Sequence, residues 1–160
     1  MPGSSKKAVG WNPGSAVAFS KASDYCATQE HCISEMHLKL QRWGIGKEDA
    51  ETIIRRLLVE GFIDEQRYAS AFARGKFHNL HWGKTKITVE LRRKNISRSL
   101  IVKAINEINE IEYQDVLSKL YVKKIKELQS ETPENRFRAM RFLAAKGFEP
   151  ELIRKIMHED

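Results

Sequence analysis

No apolar run in this chain exceeds a few residues. That is far short of the roughly 18 needed to cross a bilayer as a helix, so no membrane association is expected. Cysteine is scarce: two, at positions 26 and 32, are too few for a disulfide framework and fit a reducing, cytoplasmic setting. Nine Gly and four Pro among 160 residues exclude collagen-like or linker-like character for the chain as a whole. The phosphate-loop pattern Gly-x-x-x-x-Gly-Lys-Ser/Thr is missing, as is Gly-x-Gly-x-x-Gly. Trp43-Gly-Ile-Gly46 reads as a helix break. No Ser/His/Asp or Cys/His arrangement stands out, so neither an enzyme nor a cofactor is expected.

What the chain does have is positive charge. Lys and Arg number 28 against 21 Asp and Glu, a net +7, with 41% hydrophobic residues to build a core. The surplus is local. From Arg67 to Lys103 ten basic residues face the single acid Glu90, a balance of +9; the remaining 18 basic and 20 acidic residues leave −2. Such a cluster is either a solvated helical face or a surface for a polyanion or acidic protein. Its candidate binding residues are Arg67, Arg74, Lys76, Lys84, Lys86, Arg92, Arg93, Lys94 and Arg98. Few aromatics interleave with them in sequence, which argues against a base-stacking single-strand platform.

Residues 1–21 are rich in Gly, Ser and Pro and have no sustained period. Asn12, Pro13 and Gly14 stand where a signal peptide needs an apolar region, so this stretch is expected to be a disordered tail. Trp11 and Phe19 are the side chains in it able to pack on a domain.

Beyond the tail a repeat emerges. Leu40, Leu91 and Leu143 are each followed four residues later by Gly44, Asn95 or Gly147, and then by Ile45, Ile96 or Phe148. Gly, and next to it Asn, enters the left-handed conformation that ends a helix, and the apolar residue beyond folds back on the last turn. A new helix follows each break, with apolar faces at Ala50, Ile53, Ile54 and Leu57; Ile101, Ala104, Ile105 and Ile108; and Ile153, Ile156 and Met157. Upstream lie helices over 64–78 and 82–94 in the middle repeat, 113–129 and 133–146 in the third, and shorter ones over 23–30 and 33–43 in the first. Ile87 to Leu91 alternates like a strand, but its counterparts in the other repeats read as helix, and the repeat decides for helix. The expected fold is all-α, an elongated array of three tandem three-helix repeats: 22–61, 62–110 (basic) and 111–160.

Several residues invite chemical readings. Cys26, His31, Cys32 and His37 match no zinc-ligand spacing, and both Cys fall in amphipathic stretches, so no metal is expected. His78 and His81 sit near a helix junction. Asp64 and Glu65 fit a first helical turn, where negative charge complements the macrodipole.

Gly61-Phe-Ile-Asp-Glu-Gln-Arg-Tyr-Ala-Ser-Ala-Phe-Ala73 followed by Gly83-Lys-Thr-Lys-Ile-Thr-Val-Glu-Leu-Arg-Arg-Lys-Asn-Ile96 resembles the central signature of the bacterial RecX regulatory family. The resemblance covers roughly residues 23–158 and is strongest over 61–105; Asn95 stands where the family usually has Gly. It implies a protein that binds the recombinase RecA, chiefly as the RecA–single-stranded DNA filament. It also implies inhibition of ATP hydrolysis, strand exchange and co-protease activity, hence modulation of recombination, DNA repair and the SOS response. Many family members also bind DNA directly. The expectation is a monomeric regulator docking through the basic middle repeat; the rival is a stand-alone helical DNA-binding protein, because basic three-helix units are also how helix-turn-helix readers are built.

Overall fold

The computed structural model describes residues 13–158, and among them there are nine helices and no strand. The helices are α1 (Pro13–Thr28), α2 (Ile33–Arg42), α3 (Lys47–Val59), α4 (Glu65–Leu80), α5 (Lys84–Arg93), α6 (Arg98–Asn106), α7 (Glu110–Glu127), α8 (Pro133–Ala145) and α9 (Pro150–His158). Ile87 to Leu91 is helical, within α5. The chain divides into two compact units, one ending at Asp64 and one beginning at Glu65.

The first unit holds α1 to α3. Its core gathers Ala18, Phe19, Ala22 and Cys26 from α1, Met36 and Leu40 from α2, and Ala50, Ile53, Ile54 and Leu57 from α3, closed by Ile63. Residues 13–21, expected from the sequence to lie in a disordered tail, form the first turns of α1 instead. The first repeat is therefore longer than the expected 22–61. The physical reason is the spacing of Ala18, Ala22 and Cys26, i, i+4, i+8, which lays one apolar stripe along the helix. Proline at its first position fits the fixed φ of a first turn. Phe19 meets Phe62 edge-on at 6.3 Å, and the Arg56 guanidinium covers its ring at 3.8 Å. Burying such a ring is worth about 2–3 kcal/mol, which adds to the burial of Ala18 and Ala22 in the same core. Residues 1–12 of the expected tail, Trp11 included, lie outside the described residues.

All three breaks of the repeat close in the same way. Gly44, Asn95 and Gly147 have φ of 77°, 59° and 95°. The amide of the next residue donates back to the Leu carbonyl (Ile45 to Leu40, Ile96 to Leu91, Phe148 to Leu143) at 3.0–3.2 Å. The left-handed residue itself donates to Gln41, Arg92 or Ala144. These paired bonds satisfy carbonyls that a helix end leaves orphaned.

The second unit contains two three-helix groups, α4 to α6 and α7 to α9. They are joined backbone to backbone. The amide of Gly83, just before α5, donates to the Lys146 carbonyl at 2.7 Å, and Thr85 donates to Gly147 at 3.0 Å. Between them, the Lys84 amide donates to the Tyr113 hydroxyl at 3.0 Å. The first N–H groups of α5 thus find acceptors at the end of α8 and on α7. Only glycines allow so close an approach: a Cβ on Gly83 would overlap the Gly147 carbonyl, and one on Gly147 would overlap Lys86.

Candidate functional site

The nine candidate cations do not share one environment. Arg67, Arg74, Arg92, Arg93 and Arg98 are exposed; Lys76, Lys84, Lys86 and Lys94 are half-buried. On α5, Ile87 and Leu91 are fully buried, so Arg92 and Arg93 project away from the core at the helix end, and Arg98 opens α6 beyond the turn. Arg93 also reaches back to Glu90 at 2.8 Å on the surface, an exposed pair worth little. Arg74 lines a cleft of about 120 Å³ together with His78, Glu107 and Glu112, a mixed-charge setting rather than a basic one.

Lys84 belongs to the joint. Its ammonium lies 2.6 Å from Glu110 Oε2 and 4.4 Å from the centre of the Tyr113 ring. Lys84, and after it Gln114, hydrogen-bond Glu110 and hold its carboxyl below the usual carboxylate range. Tyr113 is fully buried and packed between Phe77 (5.6 Å) and Phe148 (5.2 Å), its ring tilted by about 40° to each. Its hydroxyl donates to the Glu149 carboxylate at 2.9 Å. Burial, above all, pushes that phenol upward; the bond from the Lys84 amide opposes the shift and the Glu149 charge adds to it.

Lys86 sits close to the end of α8. It is half-buried because the α8 terminus packs against its backbone. Its ammonium sits 4.4 Å above the Trp82 ring, and Lys76 lies 5.0 Å from the same ring. Across the joint, Lys146 and Lys124 lie 5.9 Å and 4.6 Å from the Phe142 ring. Burial first, then the neighbouring charges of Lys86 and Lys123, lower the pKa of Lys146. Aromatic rings therefore do lie among the cations, contrary to the expectation from sequence order. Lys123 and Lys146 were missed because both belong to the third repeat, whose net charge is small. The only local signal was Gly147, whose contact with Gly83 spans 64 positions of sequence.

The residues singled out for metal or acid–base chemistry are otherwise engaged. Cys26 is buried, donates to Met36 Sδ at 3.7 Å, and burial and then Glu30 push its thiol up to about 11. His31 is buried, with Nδ1 2.9 Å from Glu35, and Cys32 Sγ lies 3.2 Å from Ser34. His37 and His81 are exposed, and His78 pairs with Glu112 at 3.2 Å. Among the described residues no group of three such side chains is placed to hold a metal ion. Among them, too, no helix is long and apolar enough to cross a membrane.

Comparison with known proteins places this arrangement. Residues 64–105 match the family model of the second three-helix domain of RecX, and residues 110–157 that of the third. A regulatory protein RecX of Pseudomonas entomophila is 30% identical over 136 residues, 85% of this chain and 86% of the relative. One from Pseudomonas putida is 29% identical over the same shares. A crystallised regulatory protein RecX superposes with a TM-score of 0.83 at 25% identity, covering 91% of this chain and 72% of that one. RecX from Lactobacillus salivarius, at 20% identity and a TM-score of 0.81, covers 91% of this chain and 95% of its own, and shares the fold.

Proposed function

The chain belongs to the RecX family of regulatory proteins, and from that membership we propose that it binds RecA, chiefly as its filament on single-stranded DNA. It thereby lowers ATPase, recombinase and co-protease activity. In this reading it acts in the cytoplasm, as a monomer and without turnover of its own, to modulate recombination, DNA repair and the SOS response. The observation that carries the docking surface is the exposed arginine group at the end of α5 and the start of α6, Arg92, Arg93 and Arg98, on the repeat that holds the chain's positive surplus. Lys94, half-buried at the α5 terminus, belongs to the same end. Cations so clustered steer association with an acidic partner and fix its register.

Replacing Arg92, Arg93 and Lys94 with Glu is expected to abolish inhibition of the single-strand-dependent RecA ATPase while circular dichroism shows an unchanged helical fold. A folded triple variant that inhibits as well as the parent removes this surface from the account. A stand-alone DNA-binding protein would instead occupy DNA equally with and without RecA.

A further inference from the structure

Lysines from three helices meet at the seam between the second and third repeats: Lys86 of α5, Lys123 of α7, and Lys146 at the end of α8, on which the charges of the other two act. The backbone of Lys146 is fixed there. Its carbonyl accepts from the Gly83 amide at 2.7 Å and its own amide donates to Phe142 at 3.1 Å. The next residue, Gly147, lies so near α5 that a Cβ on it would overlap the Cβ of Lys86. The half-buried Lys146 ammonium is 5.9 Å from the Phe142 ring, which Lys124 covers at 4.6 Å from the other helix. The nearby carboxylates are engaged elsewhere: Glu127 with Lys124 at 3.5 Å and Glu149 with the Tyr113 hydroxyl at 2.9 Å. Among the described residues Lys86, Lys123 and Lys146 have no carboxylate within ion-pair distance. A lysine placed beside other cations and partly desolvated gives up its proton more readily, which is how an amine becomes a nucleophile. The lowered pKa of Lys146 is the expression of that packing.

We propose that Lys146 is a modification site, acylated directly by a small acyl phosphate of the acetyl phosphate class, with Lys86 and Lys123 attracting the donor. The anionic phosphoryl group is drawn to the two flanking ammoniums, which puts the adjoining carbonyl carbon within reach of the Lys146 amine. The Nζ lone pair of the free amine attacks that carbon and a C–N bond forms. The C–O bond to the phosphoryl group breaks, inorganic phosphate leaves with the bonding pair, and the surplus proton on nitrogen passes to solvent. No oxidant or reductant takes part. The product is a neutral amide, so the seam loses one positive charge and the repulsion of Lys146 with Lys86 and Lys123 is relieved. The site needs both repeats, because the contact of Gly83 with Gly147 sets Lys146 beside Lys86. It goes beyond the RecA reading and does not depend on it.

The test incubates the full chain with acetyl phosphate at neutral pH, with no recombinase present, and follows acetylation of each lysine over time by peptide mass spectrometry. Lys146 is expected to react at least about fivefold faster than the exposed Lys47 of α3 and Lys103 of α6, because cationic focusing of the donor and a larger share of free amine act together. Added salt should shrink this lead, since it screens the attraction of the donor. Lys86→Gln/Lys123→Gln should bring Lys146 to within about twofold of Lys103, as both effects of the flanking charges are lost. Circular dichroism checks that variant, and Lys123→Gln alone, at an exposed position, reads a partial fall if the double variant fails to fold. Phenyl acetate, an uncharged acyl donor, should show a smaller lead at Lys146 than acetyl phosphate does. A Lys146 rate no higher than those of Lys47 and Lys103, a rate unchanged in the folded variants, or an equal lead with both donors would each overturn the inference. Such a failure leaves the RecA reading standing, since RecA takes no part in this assay.

Discussion

Tyr113 does the most of any single side chain in the second unit. Its ring fills the space between Phe77 and Phe148, and its hydroxyl accepts from the Lys84 amide and donates to Glu149. In Tyr113→Phe the ring packing survives, but the half-buried Lys84 amide and the Glu149 carboxylate lose their partner, a cost of about 1–3 kcal/mol. Urea denaturation should show that loss in midpoint with little change in slope; an unchanged midpoint would mean that water replaces the hydroxyl without penalty. None of this was legible in the sequence, where Tyr113 is one apolar position at the start of a helix and its partners lie 29 and 36 residues away. Charge was equally ambiguous at this scale. Lys84 and Lys86 are two residues apart, yet one is tied to Glu110 and the other faces Trp82 and Lys146.

The helix ends were legible because their chemistry is local. A Leu, then Gly or Asn four residues on, then an apolar residue, contains every group that the closing hydrogen bonds use. The start of α1 was not legible, because Gly, Ser and Pro around position 13 outweigh, in a composition argument, the Ala18, Ala22 and Cys26 stripe that holds the helix. Nor did the sequence separate one glycine from another. Gly83→Ala forces a methyl into the Gly147 backbone and should destabilise the second unit by at least about 2 kcal/mol, as overpacking without room to relax does. Gly75→Ala, inside α4 with only the Asn79 amide at 4.0 Å, should instead stabilise by about 0.5–1 kcal/mol. Thermal melts of the two variants give opposite signs if the joint is as close as the geometry requires; matching signs would mean that it yields.

Across the whole molecule, the surplus of +9 over residues 67–103 is spread over at least three settings: the exposed end of α5 and α6, the mixed-charge cleft at Arg74, and the seam with the third repeat. The all-helical repeat and the family signature were readable because periodicity and motif need one chain and no coordinates. The division of the charge was not, because which lysines face each other depends on how α5, α7 and α8 pack. The central claim is that this chain restrains a recombinase filament, and the most direct measurement is the single-strand-dependent ATPase of RecA with the protein titrated in. The account predicts that hydrolysis falls progressively as the protein is added. Hydrolysis that stays constant up to a molar excess over RecA would contradict it.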